Sequence, residues 1–511
     1  MSAWRPFVLV LLPFAAGYYL SYVFRTINAL IAGTLTRELS LTAADLGLLT
    51  SVYFLAMAAV QLPLGVLLDR FGPRRVQSAC LLFAAAGAGV FAGADGLPGL
   101  MLGRALIGVG VASALMASLK AVVLWFPKDP IAFANGWVVM LGALGAVTAT
   151  LPAEPLVHEL GWRGLFAMLA AVTALTAAAM FFVVPEPPKP LAASPLTRVR
   201  LRDIYRDIRF LRLAPLSTLC IGTAWSLQGL WAAPWLEHAE GLDRDAVVRH
   251  LLIMGVALCG GAVLLGWSAD RLRRRGLGRE AFYAVIAIAF IAAQMILILR
   301  LPVPSFIPWI IIAAVGAATV LSFAILPEYF PKEMSARANA ALNILHLSGA
   351  FALQYLTGVI VSLWPAVSGH PPAEAYEAAF GLSVVLQLIA LLWFLGTARL
   401  ATVPTFLATR QPARQATPAA GARLNYINAG LVIASHIARA RSQAAHWRLI
   451  GVASAALCAS LAIVVALGAH SAAIVHVVEP PSRVANHEDW GMDGPKPLIV
   501  SITYRYGRDT P

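Results

Sequence analysis

A chain of 511 residues, 59% of them hydrophobic and 12% charged, with mean hydropathy +0.76, cannot clothe a water-facing surface in polar groups. Soluble domains carry about 25% charged residues, so lipid is the main solvent here and a soluble globular fold is excluded. The net charge of +13 raises nucleic acid as a partner, but the basic residues sit in short segments between apolar runs, a pattern that sets membrane topology.

The chain opens with Arg5 and an apolar stretch from Val8 that has no small-residue cleavage site before Tyr18, which reads as a retained first span, not a signal peptide. Twelve apolar segments of spanning length are expected before residue 400, near 7–33, 45–68, 75–94, 98–126, 132–156, 162–184, 212–236, 247–269, 280–300, 304–327, 335–364 and 375–398. The longest of them tilt or include interfacial turns. Pro185 to Arg212 breaks the series with Pro-Glu-Pro-Pro-Lys-Pro and leaves six spans on each side. The expected fold is an all-α membrane protein of two six-helix bundles, 1–184 and 212–400, joined by a cytoplasmic linker over 185–211.

Past Leu400 the composition turns to Pro, Ala, Thr and Arg, expected to be a second cytoplasmic linker over 401–446. A thirteenth transmembrane helix is expected at 447–470, followed by a polar periplasmic tail, 471–511, in which Leu498–Tyr504 alternates weakly like one strand. The cysteines Cys80, Cys220, Cys259 and Cys458 lie in apolar runs and are expected as free thiols.

With the N-terminus inside, the inner loops hold eighteen Lys and Arg, among them Arg70, Arg74, Arg75, Lys128 and Lys332, and the outer loops five: Arg37, Arg163, Arg244, Arg249 and Arg300. This imbalance places the N-terminus and the mid-loop in the cytoplasm of a bacterial inner-membrane, multi-pass protein.

Two passages repeat. Gly65, Asp69, Arg70 and Arg74 recur as Gly266, Asp270, Arg271 and Arg275, 201 residues on; Phe126–Pro127–Lys128–Asp129, with Ala132, Ala134 and Asn135, recurs 204 residues on as Phe330–Pro331–Lys332–Glu333, with Ala336, Ala338 and Asn339. Tandem halves of this length in an apolar chain point to a transporter built from two bundles.

Charge inside a bilayer costs a few kcal/mol per group, so each buried ionisable residue needs a reason. Arg25 lies about two-thirds along the first span on a face with Tyr18, Tyr22 and Asn28, and Arg104 enters the fourth span from outside to a similar depth. Two guanidiniums without a nearby carboxylate would attract an anion. The competing readings are snorkelling for Arg25 and a backbone bond at a helix crossing for Arg104. Lys120, sixteen residues after Arg104, is turned about 160° from it and lies near the cytoplasmic end. Trp225, Gln228, Trp231 and Trp235 form one stripe on the seventh span, either a packing seam or a binding wall. Asn339, Asn343, His346 and Gln354 lie close to one face of the eleventh; His346 is either a proton relay or an interhelical hydrogen bond. The sequence offers no metal cluster, phosphate loop or nucleophile constellation, so neither an enzyme nor a cofactor is expected.

Gly65, Asp69, Arg70, Gly72, Arg74 and Arg75, with Gly103–Arg104, Gly108 and Gly110, resemble the loop motif and fourth-span motif of the major facilitator superfamily over residues 5–400. The second-half copy, Gly266 to Arg275, lacks the inner Gly. The resemblance implies alternating access around a central cavity lined by spans one, four, seven and ten, with spans three, six, nine and twelve facing lipid. It also implies that Gly65, Asp69, Arg70 and Arg74 in one half, and Asp270 and Arg271 in the other, latch the bundles on the cytoplasmic side. The antiporter Gly-Pro is absent from the fifth span, where Gly142-Ala-Leu-Gly145 stands, which favours symport or uniport. The stretches around Tyr53-Phe-Leu and Gln61-Leu-Pro-Leu-Gly are similar to bacterial permeases for organic anions, sugar phosphates or nitrate. His446-Trp447-Arg448, an apolar span and His476–Glu479 are similar to the membrane anchor of bitopic conjugation and type IV secretion components; a gene fusion accounts for that piece equally.

The expectation is thus a monomeric secondary transporter moving a small solute, an organic anion taken with protons. Substrate contacts fall to Arg25, Tyr22, Asn28, Arg104, Gln228, Trp231 and Asn343, proton coupling to His346. Its partners are that small molecule and the bilayer, not nucleic acid. The rivals are a scaffold subunit of a secretion complex and a drug-efflux permease, the latter disfavoured by cationic cavity residues.

Overall fold

A computed structural model describes residues 7–125, 131–185, 201–330, 332–366 and 370–397. The Phe126–Asp129 motif, residues 186–200 of the first linker, and everything expected after 400 lie outside the described residues. So does the whole of the second compact unit, Leu457–Pro511; the described residues all belong to the first, Met1–Ala456.

The regular elements among the described residues are helical. We label them α1 (Val8–Leu39), α2 (Ala43–Phe71), α3 (Pro73–Ala92), α4 (Leu97–Trp125), α5 (Ile131–Thr148) and α6 (Glu154–Val183). The second half continues with α7 (Ile208–Ala239), α8 (Arg244–Arg274), α9 (Arg279–Ile298), α10 (Phe306–Leu326), α11 (Lys332–Val361) and α12 (Ala373–Gly396). Among the described residues, 11 helices are long and apolar enough to cross a bilayer, and α5 adds a shorter apolar helix at Trp137–Thr148. The fifth span, expected to reach 156, stops sooner: Leu151–Ala153 forms a 3₁₀ turn containing Pro152, and helix resumes at Glu154. Gly161, at φ 64°, then kinks α6 and separates its exposed first two turns from the long apolar stretch.

Local chemistry fixes several helix ends. Thr42 and Asp45 form a capping box at the start of α2: Asp45 N–H donates to Thr42 Oγ1 (3.1 Å) and Thr42 N–H donates to Asp45 Oδ2 (3.0 Å). Gly72, at φ 81°, ends α2, and Pro73 opens α3 at once, giving the tight turn that carries Asp69–Arg70 and Arg74. Asp243 caps α8 by accepting from Ala246 N–H (2.7 Å).

Small residues let the helices approach closely. A Cβ on Gly110 would collide with the backbone of Ala84, so α4 lies directly on α3. The two halves meet where a Cβ on Gly358 of α11 would stand 2.5 Å from the Ala43 carbonyl oxygen of α2. Phe54 of α2 stacks on Trp225 of α7 (6.1 Å), and one apolar core runs from Phe24, Tyr53 and Ile107 of the first half to Ile221, Trp225 and Leu347 of the second. Large apolar side chains point outward on α3 (Leu82, Phe83), α6 (Leu175, Phe182), α9 (Val285) and α12 (Ile389, Leu392), the surface a lipid solvent requires.

Candidate functional site

Arg25 stands at the junction of the halves. Its guanidinium lies over the Tyr22 ring of its own helix (4.1 Å to centroid) and the Trp225 ring of α7 (5.2 Å). Nη2 is buried without a hydrogen-bond partner, and the residue as a whole is half-buried. Tyr22 lies one turn below Arg25 on the same face, which is why the two meet, and the Tyr18 hydroxyl donates to that of Tyr22 (3.4 Å). Asn28 donates to the Arg25 carbonyl oxygen (3.5 Å), leaving its own Oδ1 unpartnered. Every carboxylate among the described residues lies near a helix end or in a connection, so none compensates this charge.

Trp225 joins that cage to the eleventh span. Its indole N–H donates to Gly316 O of α10 (3.0 Å), and its ring meets His346 edge-on (6.3 Å). His346 is fully buried, its Nε2 hydrogen-bonded to Ser217 Oγ (2.8 Å) and its Nδ1 unpartnered. Gln228 is 3% exposed with both amide atoms unpartnered, while Asn343 is half-buried.

The single stripe expected on α7 does not form. Leu227–Trp231 and Trp235–Ala239 are π turns, whose extra residue rotates the side chains beyond them. Trp231 consequently donates to Gln354 O of α11 (3.0 Å), and Trp235 donates to Glu240 (2.7 Å) and stacks on Phe380 of α12 (4.9 Å).

Arg104 takes the backbone-bonded arrangement at a helix crossing. It is 0% exposed, donates through Nη1 to Phe24 O (2.8 Å), and lies against the stacked rings of Phe91 (4.9 Å) and Phe166 (5.3 Å). These partners belong to α1, α3 and α6, so the guanidinium sits inside the first half, not beside Arg25 in the junction.

At the end expected to face the cytoplasm, Asp69 pairs with Lys120 of α4 (2.6 Å), and the same ammonium donates to Leu68 O (2.7 Å). Arg74 donates to Val184 O (2.9 Å), closing the end of α6. Arg70 lies over Phe71 (5.1 Å), and Arg271 over Trp267 (5.4 Å). The Asp270 side chain is outside the described residues. A Cβ on Gly65 would meet nothing within 4 Å. In the second half Arg212 donates to Glu280 (2.7 Å), as does the Tyr329 hydroxyl; burial first, then the Glu280 carboxylate, push the Tyr329 phenol well above its ordinary pKa. These described pairs each stay within one half.

At the opposite end a bond crosses. Arg244 of α8 donates to both carboxylate oxygens of Glu154 at the start of α6 (2.9 Å each) and to Leu30 O of α1 (2.8 Å). In the sequence Arg244 reads only as outer-loop charge and Lys120 as a cation near the cytoplasmic end; the four-residue spacings that betray contacts within one helix do not exist for such pairs.

Residues 14–353 match the family model described as Major Facilitator Superfamily. The chain belongs to that superfamily. The members of that superfamily are membrane transporters, and the described helices fit a multi-pass member. The chain is 36% identical over 116 residues to the uncharacterized transporter YybO of Bacillus subtilis, covering 23% of this chain and 27% of that one. It is 30% identical over 120 residues to the nitrate/nitrite transporter NrtP of Picosynechococcus (24% and 22% covered), and 28% over 119 residues to the probable sulfoacetate transporter SauU of Cupriavidus necator (23% and 28%). The chain thus spans about a quarter of the length of these curated relatives. A bacterial homolog of the human lysosomal transporter Spinster, in an inward-facing and unoccupied conformation, shares the fold with TM-score 0.63 at 19% identity, covering 81% of this chain and all of that one.

Proposed function

We propose that this superfamily member is a secondary active transporter that carries a small organic anion across a bacterial inner membrane by alternating access, together with protons. In this reading it works as a monomer of two six-span bundles, 1–184 and 212–400, with α5 as the twelfth crossing element and 185–211 as the cytoplasmic linker. The N-terminus lies in the cytoplasm, as the surplus of Lys and Arg on that side supports. The 401–446 linker, thirteenth span and tail are appended to this carrier.

The observation that carries the reading is the Arg25 guanidinium, held between Tyr22 and Trp225 where the two halves meet, with a buried nitrogen lacking any partner. A guanidinium in low dielectric without a carboxylate is an anion receptor awaiting its ligand. Tyr22 and Asn28 supply neutral hydrogen-bonding groups on its own helix, Gln228 and Asn343 are assigned to the same substrate site from α7 and α11, and Trp231 braces α7 against α11. His346 shares Trp225 with Arg25, so protonation of the ring and occupancy by the anion act on one indole. Asp69 with Lys120, Arg70, Arg74 and the second copy at Asp270–Arg271 serve the cytoplasmic gate. Nitrate/nitrite for one relative and sulfoacetate for another are both anions, which supports the substrate class.

Uptake of labelled carboxylates and sulfonates into cells producing Arg25→Gln tests the assignment. Uptake should vanish while the variant still inserts in the membrane, and unchanged uptake would remove Arg25 from the site. His346→Gln should retain anion exchange but lose its response to an imposed proton gradient.

A further inference from the structure

Behind the Arg25 cage lies a second cation that makes no contact with the junction. Arg104 is wholly buried, and its one described hydrogen bond ends on the carbonyl of Phe24, the residue preceding Arg25. Its Nε and Nη2 have no partner. The Phe91 and Phe166 rings offer attraction to a cation but no negative charge. A neutral donor could make the same backbone bond with a far smaller desolvation penalty, so a buried guanidinium bonded once lacks a counter-charge. None of the described carboxylates lies mid-span. Because Phe24, whose carbonyl Arg104 holds, is the chain neighbour of Arg25, the two cations flank one turn of α1 and share one electrostatic neighbourhood. That neighbourhood carries two positive charges, and the anion is the group left to balance them.

We infer that the transported anion is a small dianion, contacted by Arg25 and held through α1 by the field of Arg104, which makes Arg104 a specificity-determining residue that never touches the ligand. The inference rests on the reading that Arg25 contacts the transported anion. A monoanion balances one of the two charges; a dianion balances both. With an effective dielectric near 20 and a separation on the order of 10 Å, the second charge is worth about tenfold in affinity.

The test uses isosteric pairs that differ by one charge: succinate and succinamate, malonate and malonamate, sulfoacetate and sulfoacetamide. Each is titrated calorimetrically into the purified full-length protein at neutral pH. The dianion of a binding pair should bind about tenfold tighter than its monoamide. Arg104→Met should lower that ratio to within about threefold of one and weaken the monoamide as well, because the field acts on its single charge too, and Arg104→Lys, which keeps the charge, should keep the ratio. Equal affinities within every binding pair of the wild-type protein overturn the inference whether or not the Met variant folds. So does an unchanged ratio in a folded Arg104→Met protein. If the monoamides bind equally well and Arg25→Gln abolishes that binding, the Arg25 site stands and the dianion falls. If no anion binds, or Arg25→Gln binds them unchanged, both fall.

Discussion

Arg244 and Glu154 face each other across the junction of the two halves, joined by two hydrogen bonds of 2.9 Å, while Arg244 also holds the Leu30 carbonyl oxygen. One side chain of the second half thereby ties α6 and α1 of the first at the end expected to face outward. Both groups are partly wet, with 43% and 30% exposed, so the pair is worth about 0.5–1 kcal/mol, not the value of a buried bridge. Arg244→Ala should therefore raise thiol labelling of a cysteine placed at Ser51, buried in α2, by about two- to fivefold from the outside. The charge swap Arg244→Glu with Glu154→Arg should return labelling toward the starting rate; no change in either variant removes the tie from the gate.

Trp225 contacts Arg25, Phe54, His346 and the Gly316 carbonyl at once. Replacing it with Leu removes the cation–π contact, worth about 0.5–2 kcal/mol, and should weaken anion binding roughly threefold to thirtyfold. Calorimetric titration of the variant checks this. The same change should also blunt the effect of His346→Gln, since the indole is their shared neighbour.

Lys120 neutralises Asp69 within the first half. Asp69→Asn and Lys120→Met should each slow transport, and the double variant should be no slower than the worse single one, because each removes the same bond. Strictly additive losses in transport assays would mean the two residues act separately.

Gly110 admits the Ala84 backbone at a distance where no side chain fits. Gly110→Leu should force α3 and α4 apart and destabilise the protein by about 1–3 kcal/mol or more, seen as a lower melting temperature in detergent. Gly65→Ala, where a Cβ meets open space, should leave stability unchanged in this arrangement.

Much of this architecture was legible in the residues. The apolar runs, the break at Pro185 to Arg212 and the repeated Asp–Arg passages reflect what a bilayer demands of a backbone, and the helices lie where those runs do. The Arg25–Tyr22 contact was legible too, since spacing within one helix fixes it. The direction Arg104 takes was not: sequence gives its depth but not whether it turns toward the second half or toward Phe91 and Phe166. The Asp69–Lys120 and Arg244–Glu154 pairs join residues 51 and 90 positions apart, and no periodicity links them. The early end of α5 is a local matter that Pro152 announces, hidden by the uniform hydrophobicity around it.

The widened turn at Leu227–Trp231 has a bearing on how this chain should be compared with others. Trp225, before that turn, docks on α10, and beyond the swivel Trp231 docks on α11 and Trp235 on α12, so a lone helix clasps three neighbours with three indoles. A relative whose seventh helix lacks the surplus residue would carry the same tryptophans on different azimuths. Aligned letter for letter, it would share the motif and not the grip.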